Sequence, residues 1–337
     1  MTFWPKRVVF ERSSLNYPLG KKLWQLFREK GIEVSLATAH NRVTSIPGQT
    51  LKEAYLEAKK TLVVGVRRQL KFATCRPSAH YQLPLVTSCP GRCEYCYLFT
   101  NLGKKPYIRI YVNIEEILGK AEELIKERKP EITVFEGSAT SDPLPVESYT
   151  GILSRAVSFF GSCEYGRFRF VTKFTGVGTL LGLNHGGRTR IRFSVNAPVV
   201  TGLYEHATPG LDERLTAARK VAAAGYPLGF LVAPIIVRPG WQEGYRILFE
   251  KLSAFNGVPD VTLEFITHRF TPRAKKAILE IHPGTTLEME ENKRTFVFGQ
   301  FGYGKYVYKK EKFSEIKDFF TELSREFLPA ARIEYFV

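Results

Sequence analysis

The sequence predicts an α/β fold: a partial (β/α)6 barrel of the TIM type, with an N-terminal α/β extension and a C-terminal β-hairpin plus helix. Three observations carry this. From about residue 84, short β-rich runs alternate with helical stretches, the rhythm of repeated βα units. The runs are largely apolar, as strands covered by helices must be. Polar and glycine-rich groups fall just after the runs, where a barrel places its chemistry.

The N-terminal extension spans 1–83, with a short strand in RVVFE and helices over 18–31 and 50–60. The barrel spans 84–285. Its strand candidates are VTSC near 86–89, YIRIYV (107–112), ITVFE (132–136), FRFVT (168–172), RIRFSV (190–195), LGFLVA (228–233) and TLEFIT (262–267). Its helices are expected over 114–128, 146–159, 210–224, 242–255 and 272–280. The first of these has Asn113 as its N-cap, Glu115 and Glu116 in the first turn, and Lys126, Arg128 and Lys129 at its end. That charge order suits the helix dipole. Residues 286–337 supply the hairpin and last helix.

Lys and Arg number 49 against 33 Asp and Glu, a formal net charge of +16. Such an excess in an enzyme-sized chain points to a polyanionic partner, since basic surface releases counterions from a phosphate backbone. No apolar run is long enough to span a bilayer, so no membrane partner is expected. Charges interrupt the first residues where a signal peptide needs an apolar stretch. Five cysteines form no even framework of the secreted kind, and a reducing cytoplasm fits best.

Three of the five, Cys89, Cys93 and Cys96, lie within eight residues as C-x3-C-x2-C. Structural zinc normally needs four ligands, and no second pair is near; Cys75 and Cys163 read as buried free thiols. Three close thiolates suit a four-iron cluster with one iron left open. This spacing after a first barrel strand resembles the radical S-adenosylmethionine (SAM) superfamily, in which the open iron chelates SAM and electron transfer yields a 5′-deoxyadenosyl radical. CRPSAHYQLPL (75–85), the cysteine loop, FEGSATSDPLPVE (135–147) and EFITHRFT (264–271) together resemble spore photoproduct lyase.

That resemblance implies a [4Fe-4S] cluster on Cys89, Cys93 and Cys96, with SAM as a regenerated cofactor. It implies repair of 5-thyminyl-5,6-dihydrothymine in spore DNA by hydrogen abstraction at C6 and β-scission of the carbon–carbon bridge. It also implies the interior of a spore or germinating cell, and a reductant protein such as flavodoxin or ferredoxin. Tyr95 and Tyr97 become radical-relay candidates, with Tyr95 packing on adenine and Tyr97 supporting the loop as the alternative. Where the family carries the cysteine proposed to return a hydrogen, this chain has Ala139. The intact flanks read as an engineered Cys→Ala replacement that impairs the final step, with natural divergence as the alternative. SAM contacts map to Ser141, Lys173, Ser194 and Ala233, with Lys173 for the carboxylate.

A dimer inside a duplex must be flipped out to reach a cluster. The segment 293–313 carries six Lys/Arg and seven aromatics in 21 residues, with FVF and YVY alternating around glycines. It reads as a hairpin that grips phosphate and stacks on bases, with packing of its aromatics on the barrel as the alternative. Tyr303, Lys305 and Tyr306 near its turn are DNA-binding candidates, with His268 and Arg269 beside the lesion. Two other readings stand beside this one: a radical SAM enzyme acting on RNA or a peptide, and a DNA-binding protein with a structural cluster.

Overall fold

The structure, a computed structural model, describes residues 2–38, 43, 46–96, 102, 103, 105–298 and 304–337. Its strands in chain order are β1 Arg7–Phe10, β2 Glu33–Leu36, β3 Thr61–Gly65, β4 Thr74–Cys75, β5 Ala79–Gln82, β6 Val86–Thr87, β7 Ile108–Tyr111 and β8 Thr133–Glu136. They continue with β9 Gly166–Thr172, β10 Thr189–Val195, β11 Leu228–Ile235, β12 Thr262–Thr267, β13 Arg294–Phe298, β14 Gly304–Tyr308 and β15 Arg332–Phe336.

A small sheet runs in the order β2-β1-β3-β7-β6. Strands β1, β3 and β7 are buried along their whole length, which explains why RVVF, TLVVG and IRIY carry no polar alternation. Helix Pro18–Glu29 links β1 to β2 and starts at a proline, whose missing N–H costs nothing there. Helix Leu51–Ala58 opens with a capping box: Thr50 Oγ1 accepts from Glu53 N, and the Glu53 carboxylate accepts from Thr50 N.

The large sheet runs β15-β12-β11-β10-β9-β8-β5-β4, parallel throughout except for the β4–β5 edge. Its inward charges show that it curls. Arg169 on β9 donates to Glu334 on β15 at 2.7 Å, although four strand spacings of a flat sheet amount to about 19 Å. Arg192 on β10 bridges Glu136 on β8 to Glu264 on β12, and the Glu264 contact is 2.7 Å. Tyr335 OH and Ser78 Oγ complete this buried layer, donating to Glu264 and Glu136 at 2.7 Å each. Six strands, β5 and β8 to β12, form the partial barrel that the βα rhythm predicts, and β15 adds a seventh.

Four details differ from the sequence expectation. The run 107–112 is a strand, but it joins the small sheet beside β3, as does β6 with the cysteine loop behind it. The first barrel strand is instead β5, within CRPSAHYQLPL. The helix expected over 146–159 is two helices, Leu144–Thr150 and Ile152–Gly161, parted by Gly151 at φ +66°, a conformation that favours glycine. Asn113 does precede helix Ile114–Arg128, yet its amide clamps the Arg67 backbone (2.8 and 3.0 Å) in place of capping.

The C-terminal hairpin β13–β14 forms as expected and docks on the barrel rim through Phe270, whose backbone exchanges two hydrogen bonds with Tyr306. Arg294 lies 3.6 Å from the Tyr308 ring centroid beneath it. Among the described residues, no helix is long and apolar enough to cross a membrane.

Candidate active site

Strand β6 is followed by Ser88, which sits at φ +64° and anchors two loops at once. Its N–H donates to Thr140 O (2.9 Å), and its carbonyl accepts from Asp142 N (3.3 Å). Lys59 Nζ donates to Ser88 Oγ at 3.3 Å and to Cys89 O at 2.9 Å. The cysteine loop and the loop after β8, which carries Ala139, are thereby tied side by side.

Beyond Ser88 the loop is pinned by its backbone. Arg92 N donates to His206 O (2.8 Å), Glu94 N to Tyr204 O (2.9 Å) and Cys96 N to Cys93 O (3.1 Å). Gly91 is tightly placed: a Cβ would lie 3.0 Å from Thr208 Cγ2, which would have to give way, and 3.5 Å from the Cys89 sulfur. Cys93 is buried, while Cys89 and Cys96 are half-buried; all are free thiols. Burial raises Cys89 to about 11, with Lys59 opposing and Cys96 adding to the rise. Burial also raises Cys93, and Glu205, Cys96 and Cys89 add to it despite Lys173. The thiol charges raise one another without any disulfide pairing, so a cation that replaces their protons relieves that repulsion. Three sulfurs on one loop fit an iron–sulfur cluster with an open iron.

Beside Cys93 lies a buried polar group. Tyr95 OH donates a short hydrogen bond to Glu205 Oε1, and burial with the Glu205 charge holds the phenol protonated. Lys173 Nζ donates to Glu205 Oε1 (3.1 Å) and Ser194 Oγ (2.7 Å), and stands 5.7 Å from the Tyr95 ring centroid. Arg214 holds the other Glu205 oxygen at 2.5 Å and also bonds Ser194 O (3.0 Å). Burial alone would raise the Glu205 carboxyl, but Lys173, Arg214 and the Tyr95 hydroxyl outweigh it and hold it at about 2. Asp142 goes the other way. Burial lifts it to about 6 although it accepts from Lys173 N, Thr172 Oγ1 and Leu144 N.

The structure brings Cys89, Cys93, Cys96, Tyr95, Lys173 and Ser194 together, as the strand ends suggest. Ser141 stands beside Ser88 through a backbone bridge, with its hydroxyl 3.5 Å from Gly137 O. Ala233 lies half-buried in the irregular end of β11, before a cis peptide to Pro234. Ala139 is half-buried in the loop after β8. Tyr97 and Tyr303 lie outside the described residues.

His268 is a core residue, 2% exposed. Burial and the adjacent Arg294 lower it to about 3, so it is neutral. Arg269 and Lys305 are half-buried and close enough for the Arg269 charge to lower Lys305 further, after burial. Tyr306 spends its hydroxyl on Glu291 (2.7 Å) and its ring on Phe270 (centroids 5.3 Å apart). Among the described residues, the exposed aromatics of the hairpin are Phe296 (45%) and Phe298 (78%). Cys75 and Cys163 are half-buried rather than buried. Glu205, Arg214, Asp142 and Lys59 were not foreseen, since each acts through a tertiary contact that no local pattern announces.

The family model "Spore photoproduct lyase" matches residues 3–337. A relative from Clostridium acetobutylicum, a spore photoproduct lyase, is 47% identical over 332 residues, covering 98% of each chain. The one from Bacillus subtilis (strain 168) is 49% identical over 339 residues, covering 99% of this chain and 98% of that one. Among solved structures, a double mutant of spore photoproduct lyase with bound AdoMet and dinucleoside spore photoproduct superposes with a TM-score of 0.97 at 49% identity, covering 100% of both chains. A tyrosine-to-phenylalanine mutant of spore photoproduct lyase matches equally well, at 0.97 and 48%. The chain belongs to the spore photoproduct lyase family.

Proposed function

We propose that this chain repairs 5-thyminyl-5,6-dihydrothymine in DNA, returning it to two thymines. The observation that carries the reading is the loop of three free thiols set against the Tyr95–Glu205–Lys173 group. Cys89, Cys93 and Cys96 would hold a [4Fe-4S] cluster. Lys173, Ser194, Ser141 and Ala233 would seat SAM, with Lys173 facing its carboxylate while Arg214 retains Glu205. When bound, cluster and SAM supply the one-electron chemistry that removes a hydrogen atom from C6 of the lesion.

The protein must then control a thymine radical. After β-scission the allylic fragment needs one hydrogen atom, and Ala139 has none to give. Two observations favour Cys75 as the donor. Its turn reaches the end of β8 through Ser78, whose hydroxyl bonds Glu136. The double-mutant relative exchanges a cysteine for alanine and a serine for cysteine 64 residues earlier, the separation of Ala139 and Cys75 here. Burial, with Glu136 adding, raises Cys75 to about 12, so sulfur keeps its hydrogen at neutral pH. Transfer of that hydrogen to carbon leaves a thiyl. The atom first taken from C6 returns to sulfur through the phenol O–H groups of Tyr95 and Tyr97, so each turnover closes without net oxidation. On this reading Ala139 with Cys75 is a native arrangement, in place of the engineered one that the flanks suggest. Cys163 precedes β9, at the end of the barrel away from the chemistry.

For DNA, Lys305 and Arg269 would hold phosphate, and Phe296 and Phe298 would stack against the bases around a flipped lesion. Tyr306 fixes the hairpin and His268 supports it from the core. An acidic flavodoxin or ferredoxin suits the basic surface as electron donor. The test is anaerobic incubation of the reduced, cluster-loaded protein with SAM and dinucleoside spore photoproduct. Thymidylyl-thymidine is expected from the intact chain and none from Cys93→Ala; an unchanged lesion refutes the reading.

A further inference from the structure

A second group of ligating side chains includes a residue of the cysteine loop itself. Glu94 lies between Cys93 and Tyr95 in the loop. It meets His206, from the turn between helices Pro198–Tyr204 and Leu211–Ala223, and His282, at the end of helix Pro272–Ile281. One ligand atom from each of the three lies within 4.8 Å of the others. His206 Nε2 and Glu94 Oε1 are 2.7 Å apart, close to the ~3.2 Å between ligands on a tetrahedral ion with bonds near 2.0 Å. The two imidazole rings are inclined at 30° with centroids 6.0 Å apart.

We propose that Glu94, His206 and His282 form a zinc site that staples the cluster loop to the barrel flank. Two imidazoles and a carboxylate suit zinc, whereas calcium and magnesium take oxygen ligands. The scaffold holds the three side chains in place before any ion arrives. Backbone bonds tie Glu94 to Tyr204 and Arg92 to His206, and Thr285 N donates to His282 O at 3.0 Å. Thr285 Oγ1 donates to the second Glu94 oxygen, the outer hydrogen bond that orients a ligating carboxylate. The Nε2 of His282 is buried and has no hydrogen-bond partner, an orphan that a metal ion would satisfy. Burial lowers His282, with His206, Lys52 and Arg92 adding to that and Glu94 opposing it, which favours the neutral imidazole that a metal ion needs. The His206 side chain is 40% exposed, which leaves an entry path and a position for water.

The test uses the cluster-loaded protein, because empty cysteines bind zinc themselves. The protein is equilibrated with Zn2+, passed through a desalting column, and assayed for zinc and iron by mass spectrometry. About one zinc per chain is expected beside full iron. His206→Ala and His282→Ala should each weaken zinc binding by more than about 100-fold, exceeding the loss an outer-shell change causes, while retaining iron. As a second readout, the Cys89→Ser/Cys93→Ser/Cys96→Ser protein should bind Co2+ with weak visible bands and no sulfur-to-metal absorption, and lose them on adding His282→Ala. Zinc absent from the intact protein, or retained equally by the His206→Ala/His282→Ala double variant, overturns the proposal. It stands or falls separately from lesion repair, since neither readout measures turnover.

Discussion

Replacing Glu205 by Gln tests whether the polar group beside the cluster loop is built as described. Glu205 is fully buried as a side chain and joins Lys173, Arg214 and Tyr95. Its carboxyl is held at about 2 against an ordinary 4.5. At 1.36 kcal/mol per pH unit that difference corresponds to about 3 kcal/mol of stability. The independent expectation for stranding a buried cation, here Arg214 with no side-chain exposure, is roughly 3–5 kcal/mol. For a chain of this length about 3 kcal/mol lowers the melting temperature by about 4 °C. The sign with pH follows from the depressed carboxyl. The stabilisation is complete above 4.5 and drains away as pH falls toward about 2. Urea unfolding of both proteins at pH 7 and in mild acid gives the comparison, with the gap largest at pH 7 and narrowing below 4.5. Equal midpoints at pH 7 would refute the reasoning, as would a gap that widens in acid.

Three further outcomes are expected. Cys89→Ala, Cys93→Ala or Cys96→Ala should abolish the visible absorbance of the reconstituted cluster, measured with iron content; full iron loading in any one of them removes the ligand assignment. Lys305→Glu should weaken lesion-DNA binding and reduce the slope of log affinity against log salt by about 1, read from titrations at several ionic strengths. Ala139→Cys, made in a Cys75→Ala background, should restore clean thymine product that Cys75→Ala alone loses, resolved by mass after digestion of the DNA.

The cysteine loop is legible because three rare residues in one short stretch need no tertiary knowledge to be noticed. Lys173 and Ser194 are legible for a weaker reason: the βα rhythm fixes which ends of the strands face the site. Alternation does not say which sheet a strand joins, so the run 107–112 reads like a barrel strand although β3 claims it. The terminal RIEYF carries strand alternation but follows a long helix, and its place beside β12 depends on the curl of the sheet. Glu205 and Arg214 lie in a loop and a helix that look like ordinary charged surface. Only the fold turns them inward, where neither remains exposed. Tyr306 shows the reverse error, since an aromatic in a basic hairpin looks available for DNA until Phe270 and Glu291 take it.

The most direct test of the account is repair of unlabelled dinucleoside spore photoproduct in D2O by the reduced, SAM-loaded protein, with the thymidylyl product weighed after few turnovers. Thiol hydrogens exchange with solvent, so the intact chain is expected to give repaired dinucleotide carrying one deuterium in a thymine methyl group. Cys75→Ala is expected to give little of it. Failure of the loaded protein to convert the lesion would contradict the function itself, and undiminished deuterated product from Cys75→Ala would contradict the assignment of the hydrogen donor.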